Sequence, residues 1–354
     1  MTNMPSKSAW IRLPRHVVVG QDALARAPAA IADLHLAGDP TFVTSPTPRS
    51  LVADPLADEL AAVADVEPHV IEIERATATT IEDVIDEAAG AGYLIGVGGG
   101  SPIDVAKLAS DRLDLGFVSV PTAASHDGIA SGRASIPDGD TRHSVAADPP
   151  HAVIADTGVI ADAPWELTTA GCADIISNYT AVRDWRLAHR LRDVEYSEYA
   201  AALSEMTAEM LVENADAIRP ELEDAAWIVV KALVSSGVAM SIADSSRPAS
   251  GAEHLISHQL DRIAPGQALH GHQVGVAAVL TAYLQTGEEG DWRRIRDALA
   301  HLDAPTTVDG LGVSAAEFVE AATTAHEIRD RYTVLGDGIT DRAVRRAGEV
   351  TGVL

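Results

Sequence analysis

The sequence predicts a two-part fold in which a parallel sheet covered by helices is followed by an all-helical half. Over the first 160 residues, short β-rich runs alternate with amphipathic stretches, a pattern typical of an α/β domain. After that point alanine, leucine and acidic residues dominate, and β-rich runs are scarce. A chain of 354 residues is also long for one compact domain. We therefore expect an α/β domain over residues 1–160 and an all-helical domain over residues 161–354.

Each element follows from a local pattern. Strands are predicted from short apolar runs, at residues 16–20, 41–45, 69–73, 93–97, 116–120 and 152–156. Helical spacing lies between them, for example at 50–64 and at 80–90, where Thr79-Thr80-Ile81-Glu82 resembles a capping box. A second capping box is Ser314-Ala315-Ala316-Glu317. Helical spacing in the second half covers residues 164–190, 195–218, 222–243, 250–261, 272–286, 290–301 and 314–330.

The charge balance is strongly acidic. Asp and Glu total 52 against 26 Lys and Arg, which gives a net charge of −26. Because these carboxylates are scattered along the chain, we interpret them as a solvated acidic surface. The self-repulsion of such a surface is screened by salt, so we predict an adaptation to high salt. The same charge argues against a nucleic acid as partner.

The chain has the features of a cytoplasmic protein without membrane insertion. No apolar stretch reaches the roughly 18 residues that span a bilayer, and the best candidate, Ala225 to Ser245, is interrupted by Lys231 and Asp244. The first ten residues lack the basic-then-apolar pattern of a signal peptide. The single cysteine, Cys172, excludes an intrachain disulfide. Because symmetric association is common, we expect a homo-oligomer of unspecified size.

A glycine-rich turn separates the predicted strand 93–97 from a helix. The glycines from Gly98 to Gly100 allow another group to approach the backbone, and Pro102 suits the first turn of a helix. Because a helix N-terminus offers free N–H groups and partial positive charge, we predict a pyrophosphate against Gly98-Gly99-Gly100-Ser101. A tight turn without ligand is the alternative. A second loop favours the nucleotide, since Thr122 and Ser125 follow the strand 116–120 and can donate hydrogen bonds.

The helical half contains a candidate metal site. His254 and His258 are four residues apart and therefore share one face of a helix. His270 lies near the start of the next helix, and Asp174 lies on another helix. A carboxylate with two imidazoles is a common open site for Zn²⁺, so we predict that Asp174, His254 and His270 bind zinc. Separate histidines in the core or on the surface are the alternative.

These motifs resemble those of the sn-glycerol-1-phosphate dehydrogenases, in the superfamily of glycerol dehydrogenase, dehydroquinate synthase and iron-containing alcohol dehydrogenases. The resemblance covers nearly the whole chain. GGGSPIDVAK is superfamily-wide, whereas SHDGIAS is more specific because glycerol dehydrogenases usually lack it. The stretches that carry the resemblance are GGGSPIDVAK from Gly98, PTAASHDGIASGRASI from Pro121, ADIIS from Ala173, EHLISHQLD from Glu253, LHGHQVGV from Leu269 and Arg331-Tyr332-Thr333.

The resemblance implies a dehydroquinate synthase-like fold with a dinucleotide-binding first domain and one zinc ion per subunit. It implies that Asp127 and His258 face the substrate, as does the metal ligand Asp174. Asn178 replaces the histidine that is a fourth ligand in the iron enzymes, which favours zinc. The residues expected to bind NAD or NADP are Gly98, Gly99, Gly100, Ser101, Pro102, Ile103, Asp104, Thr122, Ala123, Ala124, Ser125 and Ser131.

The implied reaction is the reduction of dihydroxyacetone phosphate to sn-glycerol 1-phosphate, for the backbone of ether-linked membrane phospholipids. The zinc ion would act as a Lewis acid on the carbonyl oxygen, and His258 is the best candidate to supply the proton. Arg133 and Arg262 are candidates for the substrate phosphate, with surface ion pairs as the alternative. Lys107 is either structural or placed beneath the cofactor, and Arg49 is a candidate for a 2′-phosphate of NADP.

Three other functions remain open at this point. A polyol dehydrogenase acting on glycerol would share the metal and cofactor but need no phosphate site. Dehydroquinate synthase would carry more basic residues than this chain has. A metal- or nucleotide-binding protein without turnover would not need both Asp127 and His258.

Overall fold

The computed structural model describes residues 10–138 and 141–354. The segment 1–9, which covers most of the N-terminal stretch without a signal-peptide pattern, lies outside the described residues. Six strands form one parallel sheet in the order β1-β8-β5-β4-β2-β3, and β6 and β7 form a separate antiparallel hairpin. The strands are β1 His16–Gly20, β2 Pro40–Thr44, β3 His69–Glu72, β4 Tyr93–Gly98, β5 Gly116–Pro121, β6 Arg133–Asp138, β7 Thr141–Ala146 and β8 Ala152–Asp156.

Helices surround the sheet and form all the regular structure after β8 within the described residues. The two halves have the α/β and all-helical character that the sequence predicted, so the fold class is confirmed. The helices are α1 Ala27–Asp33, α2 Pro46–Pro48, α3 Asp54–Val63, α4 Ala78–Glu87, α5 Gly100–Leu113, α6 Thr157–Ala161, α7 Trp165–Ile176, α8 Asn178–Arg192, α9 Glu198–Glu213, α10 Glu223–Ala243, α11 Ala252–Ile263, α12 His270–Thr286, α13 Trp292–His301, α14 Ala315–Thr324 and α15 Asp341–Thr351.

Most predicted elements are present, with three differences. The capping box at Thr79 is wrong, because α4 begins at Ala78 and the Thr77 hydroxyl accepts the hydrogen bond from Thr80 N at 3.0 Å. The stretch 164–190 is two helices, α7 and α8, that meet at Ser177. The hairpin of β6 and β7 was not predicted, because its alternating polar residues lack an apolar run. The second capping box is confirmed, since Ser314 and Glu317 bond each other's backbone N–H groups.

Apolar side chains on both faces of the sheet explain why it is parallel and central. Successive residues of a strand point to opposite faces. Leu94 and Phe117 therefore join the large core that continues into the helical half, while Ile95 and Val118 join a second core beneath α1 and α3. A sheet buried on both faces in this way is typical of α/β domains.

The helix α10 is the most apolar long helix of the described chain. By length and composition it could cross a membrane, but 56% of its most apolar 18-residue stretch is buried inside the protein. It packs against α9, α6 and α7. A core helix of a globular protein has the same length and composition, and the packing of α10 is that of a core helix.

The strand order reverses between β2 and β4, which creates a crevice at the carboxyl ends of these two strands. The chain leaves β2 toward β3 on one side and leaves β4 toward β5 on the other side. Parallel sheets bind ligands outside the carboxyl ends of strands at such a point of reversal. The turn that follows β4 is the glycine-rich turn at residues 98–100, so the fold places this turn at the crevice.

Candidate active site

The glycine-rich turn is built from backbone. Gly98 has φ +145°, and a Cβ there would lie 2.9 Å from Pro102 Cγ. A Cβ at Gly100 would lie 2.5 Å from His126 Nε2, whereas a Cβ at Gly99 would meet nothing within 4 Å. Gly99 is also the N-cap of α5, and no side chain of the described residues caps that helix. The turn therefore presents bare N–H groups beside open space, as an anion site requires.

A second loop, which follows β5, lies beside this turn. Thr122 N donates to Gly98 O at 3.0 Å and joins the two segments. The His126 ring lies between Gly100 and Gly128, and its Nδ1 accepts a hydrogen bond from Gly128 N at 2.8 Å. A side chain at either glycine would collide with the ring. We call residues 98–104 and 122–128 the cofactor loops.

A buried ion pair between Lys107 and Asp104 holds the cofactor loops in place. Lys107 is fully buried, and its Nζ lies 3.3 Å from Asp104 Oδ1 and donates to Gly128 O at 2.6 Å. Asp104 also accepts from Ser135 N at 2.9 Å. Of the two roles that the sequence left open for Lys107, these contacts favour the structural one, because the ammonium group crosslinks α5 to the second loop and to β6.

The proposed metal ligands converge from three helices. Asp174 on α7, His254 on α11 and His270 on α12 each offer a ligand atom, and these atoms all lie within 4.8 Å of one another. His254 Nε2 is 3.4 Å from Asp174 Oδ1, and Asp174 is almost fully buried. We call these three residues the metal set. Its spacing suits one ion with open positions for substrate.

Buried hydrogen-bond partners orient both imidazoles of the metal set. His254 Nδ1 lies 3.1 Å from Glu253 Oε1, and His270 Nδ1 lies 2.9 Å from Ser257 Oγ. Since the Ser257 hydroxyl donates its proton to Gln273 Oε1 at 2.6 Å, it accepts from His270 Nδ1. In the neutral form of each ring, the lone pair that can bind an ion is therefore on Nε2. Zinc-binding histidines are oriented by outer partners in this way, so these residues fit the metal.

A second group of possible ligands overlaps the first. Ligand atoms of His258, Asp261 and His270 also lie within 4.8 Å of one another. Asp261 Oδ1 already accepts from Gln273 Nε2 at 3.2 Å, and the His258 ring stacks on His270 with centroids 5.5 Å apart. Of the two groups, the metal set fits an ion better, because both of its imidazoles have their Nδ1 fixed by a buried acceptor.

The charges of the metal set are tightly coupled. Burial alone would lower the pKa of His254, but the carboxylates of Asp174 and Glu253 raise it to about 9. Burial alone would raise the pKa of Asp174, yet hydrogen bonding to His254 holds it below the usual range. Burial raises the pKa of Asp127, and the neighbouring Asp174 carboxylate raises it further. The site therefore concentrates negative charge where a cation would neutralise it.

Asp127 has a fixed orientation above the metal set. Its Oδ2 accepts from Ser236 Oγ at 2.8 Å, and Ser236 in turn accepts from Asn178 Nδ2 at 3.1 Å. Asn178, which stands where the iron enzymes have a histidine, thus faces Ser236. The Asp127 backbone N–H lies 3.4 Å from Asp174 Oδ2, which connects the second loop with α7.

One cavity of about 300 Å³ joins the cofactor loops to the metal set. The predicted site residues differ in their relation to it. Those that line it are Gly100, Ser101, Asp104, Ser125, Asp127, Ser131, Asp174, His254, His258 and His270. Those that lie in the surrounding turn and core without lining it are Gly98, Gly99, Pro102, Ile103, Thr122, Ala123 and Ala124.

The two arginines proposed for the substrate phosphate are placed differently. Arg133 lines the cavity, and its Nη2 donates to Asp244 O at 3.1 Å. Arg262 is exposed, lies outside the cavity and reaches Gln259 Oε1 at 3.5 Å. The cavity contains a further arginine, Arg329, which the sequence did not single out. The only sequence feature that could have pointed to Arg329 is that it is a basic residue in a strongly acidic chain.

Glu253 and Ser257 were also missed by sequence reasoning. Both lie beside a predicted histidine in EHLISH, and each holds one imidazole of the metal set. A buried Glu directly before a ligand histidine was a usable signal. Ser257 gave none, because its contact with His270 depends on how α11 and α12 pack.

Comparisons with known proteins identify the family. Residues 18–164 match the model of the family described as iron-containing alcohol dehydrogenase. The probable glycerol dehydrogenase of Sinorhizobium meliloti 1021 superposes with a TM-score of 0.77 at 20% identity, covering 97% of this chain and 98% of that one. The fold is thus that of the superfamily of glycerol dehydrogenases and iron-containing alcohol dehydrogenases.

Closer relatives define the branch. A glycerol-1-phosphate dehydrogenase (NAD(P)+) of Halobacterium salinarum is 67% identical over 353 residues, which cover 99% of this chain and 100% of the relative. One of Methanosarcina acetivorans is 50% identical over 357 residues, covering 100% of this chain and 99% of the relative. The chain belongs to the glycerol-1-phosphate dehydrogenase family. The family that its motifs predicted is thereby confirmed.

Proposed function

We propose that this protein is an oxidoreductase that reduces dihydroxyacetone phosphate to sn-glycerol 1-phosphate with NADH or NADPH and one zinc ion per subunit. The observation that carries the proposal is the single cavity lined by Ser101 of the cofactor loops and by His254 and His270 of the metal set. Relatives named for glycerol 1-phosphate and NAD(P)+ match nearly the whole chain, one of them at 67% identity, which supports the same reaction here.

The two bound groups have separate places in the proposal. The cofactor loops would hold the dinucleotide, with the N–H groups at Gly99 and Gly100 available for its pyrophosphate and with Ser125 and Ser131 beside it. Asp174, His254 and His270 would hold the ion. When bound, the dinucleotide supplies the hydride and the ion polarises the ketone carbonyl. The proposed division into a cofactor domain, residues 1–160, and a metal domain, residues 161–354, follows from this arrangement.

The chain's own groups position the substrate and manage the proton. Asp127, held by Ser236 at 2.8 Å, is placed to bond a substrate hydroxyl. His258 lines the cavity with its ring 5.5 Å from the His270 ring, so it is placed to give a proton to the product oxygen. His258 is buried and Asp127 is half-buried in the wall of the cavity.

The setting of the enzyme is also a proposal. The net charge of −26 supports work at high salt and argues against nucleic-acid partners. We place the enzyme in the cytoplasm, as a homo-oligomer without membrane insertion, where its product would supply the backbone of ether-linked phospholipids. A role in ether-lipid synthesis requires that the product is the sn-glycerol 1-phosphate stereoisomer.

The test is an assay of the zinc-loaded protein in molar KCl. NADH oxidation is followed with dihydroxyacetone phosphate and then with dihydroxyacetone at the same concentration. We expect rapid turnover of the phosphate ester alone and a product that a stereospecific sn-glycerol-3-phosphate dehydrogenase does not oxidise. Equal turnover of the unphosphorylated ketone would overturn the proposal and indicate a polyol dehydrogenase.

A further inference from the structure

Arg329 lines the cavity, and Arg247 and Arg331 lie near it. Among the residues that the structure describes, none of the three forms an ion pair within 4.0 Å, and their acidic neighbours Glu253 and Asp330 act on them only from a longer distance. The arrangement is unexpected in a chain with twice as many acidic as basic residues. Half-buried guanidinium groups without a close carboxylate are costly, which favours an anion that completes the site.

The arginines are held by a short buried segment that joins α10 to α11. Arg329 Nη2 donates to Ser250 Oγ at 2.8 Å, and Arg331 Nη2 donates to Ser246 Oγ at 2.7 Å. Arg331 Nη1 also donates to Ser250 O. Each serine hydroxyl accepts from a guanidinium and so keeps its own proton for another acceptor. Ser246 and Ser250 both line the cavity.

Arg329 has an unused donor. It lines the cavity, and its buried Nε has no hydrogen-bond partner among the described residues. Buried donors in folded proteins are almost always paired, so an orphaned guanidinium N–H calls for an acceptor. Arg331 differs, because its guanidinium donates hydrogen bonds to Ser246 Oγ and Ser250 O. It therefore holds these two serines in place.

The repulsion among these side chains supports the same conclusion. Burial and the neighbouring Arg247 guanidinium lower the pKa of Arg329 to about 10. Burial, Arg329 and Arg247 hold the pKa of Arg331 well below its usual range. A bound dianion would relieve this repulsion, since its charge favours the protonated guanidinium groups.

The position of the cluster relative to the metal set matches the shape of a small phosphate ester. Ser250 lies two residues before α11 begins at Ala252, His254 lies in the first turn of that helix, and both residues line the cavity. In dihydroxyacetone phosphate the carbonyl carbon is separated from phosphorus by only a methylene and an ester oxygen. A ketone bound at the metal set therefore needs a phosphate site close by in the same cavity.

Resting on the proposed function, we infer that the guanidinium of Arg329 and the hydroxyls of Ser246 and Ser250 bind the substrate phosphate, with Arg331 as a positioning residue. The cofactor's phosphates have a separate place at the cofactor loops, which come from the sheet half of the molecule. The cluster assigned here comes from segments 245–251 and 328–331 of the helical half. Arg262, exposed and outside the cavity, takes no part.

The test compares Arg329→Gln, Arg329→Lys and the matched control Arg262→Gln as zinc-loaded enzymes in molar KCl. For Arg329→Gln we expect KM for dihydroxyacetone phosphate to rise about 100-fold, as for loss of one partner of a buried charged hydrogen bond. KM for NADH, zinc content and the slow turnover of dihydroxyacetone should stay within about twofold of wild type. Arg329→Lys should recover part of the loss, and Arg262→Gln should match wild type.

A binding measurement separates this inference from the proposed function. Inorganic phosphate is titrated into each protein by calorimetry, with saturating NAD+ present so that the cofactor loops are filled. We expect binding to wild type and to Arg262→Gln, and none to Arg329→Gln. If wild type binds phosphate through Arg329 but does not reduce the phosphate ester, only the proposed function fails. If Arg329→Gln keeps wild-type KM and phosphate affinity, or changes KM for NADH instead, the inference is wrong.

Discussion

The two sides of the cavity are built by different means. The cofactor loops expose backbone groups, because Gly98, Gly99 and Gly100 have no side chains to cover them. The metal set presents side chains from α7, α11 and α12, and each imidazole is held by a further buried polar group. At a site made of backbone groups, any added side-chain volume blocks the ligand, whatever its chemistry. At a site made of side chains, a change of chemistry removes a ligand atom even when the volume is kept. The two sides should therefore respond differently to substitution.

The largest effect is expected at the metal set. Asp174→Asn removes the one charged ligand, and we expect zinc content to fall below half an ion per subunit and kcat/KM by about 1000-fold or more, since the ion contributes several kcal/mol to catalysis. Zinc is measured by atomic absorption on dialysed protein. Asp261→Asn tests the alternative group of ligands, to which Asp261 belongs as the only carboxylate. Zinc loss from Asp261→Asn with retention in Asp174→Asn would move the ion to His258, Asp261 and His270.

On the backbone side the informative substitution is Gly99→Ala. A Cβ at Gly99 meets no protein atom within 4 Å, so the fold should accept it with an unchanged Tm. If a pyrophosphate occupies that space, the methyl group displaces it from the N–H groups of α5. We then expect KM for NADH to rise roughly 10- to 100-fold, the cost of one or two hydrogen bonds to a charged group.

The same variant decides between the two interpretations of the glycine-rich turn. An unchanged KM for NADH in a stable Gly99→Ala protein would mean that the turn only joins β4 to α5. Isothermal titration with NAD+ gives the same answer without catalysis. Gly100→Ala cannot serve this purpose, because its Cβ would collide with the His126 ring whether or not a cofactor binds.

The contrast between the two sides also explains what the sequence could predict. The glycine-rich turn is contiguous, and its strand, glycines and Pro102 appear in order along the chain, so its position and boundaries were predicted. The candidate metal ligands His254 and His270 were recognisable as residue types in helices. Their convergence with Asp174 within 4.8 Å depends on packing between α7, α11 and α12, which no local pattern encodes.

Arg329, which the sequence did not single out, has its partner far away in sequence. Ser250 and Arg329 are 79 residues apart, and their contact exists because the segment after α14 packs on α11. The hairpin of β6 and β7 was missed for a related reason. It packs against α5 and α11, so its stability comes from neighbours and not from an apolar run of its own.

A smaller effect is expected from the group behind a metal ligand. Glu253→Gln keeps the shape of the side chain but weakens its hold on His254 Nδ1, 3.1 Å away. We expect zinc affinity to fall roughly tenfold, the lower end of what outer partners contribute. Competition with a chelator measures it. Excess zinc should restore kcat, and failure of that rescue would assign Glu253 a part in the reaction beyond positioning.

The smallest effect concerns stability and its pH dependence. Asp184 is buried behind the metal set, where its carboxylate accepts from Ala252 N at 2.8 Å and from Gln285 Nε2 and Val334 N at 2.9 Å. Burial, with the nearby Glu253 carboxylate, raises the pKa of Asp184 from 3.8 to about 7. The folded state therefore binds more protons than the unfolded state between these two values.

The sign of the pH dependence follows from this raised pKa. Protonation of Asp184 stabilises the fold fully below pH 4, and this contribution is lost as the pH rises through about 7. Asp184→Asn removes the titration and turns an amide nitrogen toward a backbone N–H. We expect it to lose about 1 to 3 kcal/mol of the free energy of unfolding, with a larger loss at pH 5 than at pH 8.

Urea unfolding in molar KCl at both pH values measures the difference. Asp337→Asn is the control, because that side chain is 95% exposed. A loss that is equal at pH 5 and pH 8 would show that Asp184 is already ionised throughout. The helical half would then carry a buried carboxylate pair, Asp184 and Glu253, held by N–H groups at the start of α11 and by Gln285, Val334 and Thr180. On the cofactor-loop side, by contrast, the buried carboxylate of Asp104 lies 3.3 Å from the Lys107 ammonium, which compensates its charge.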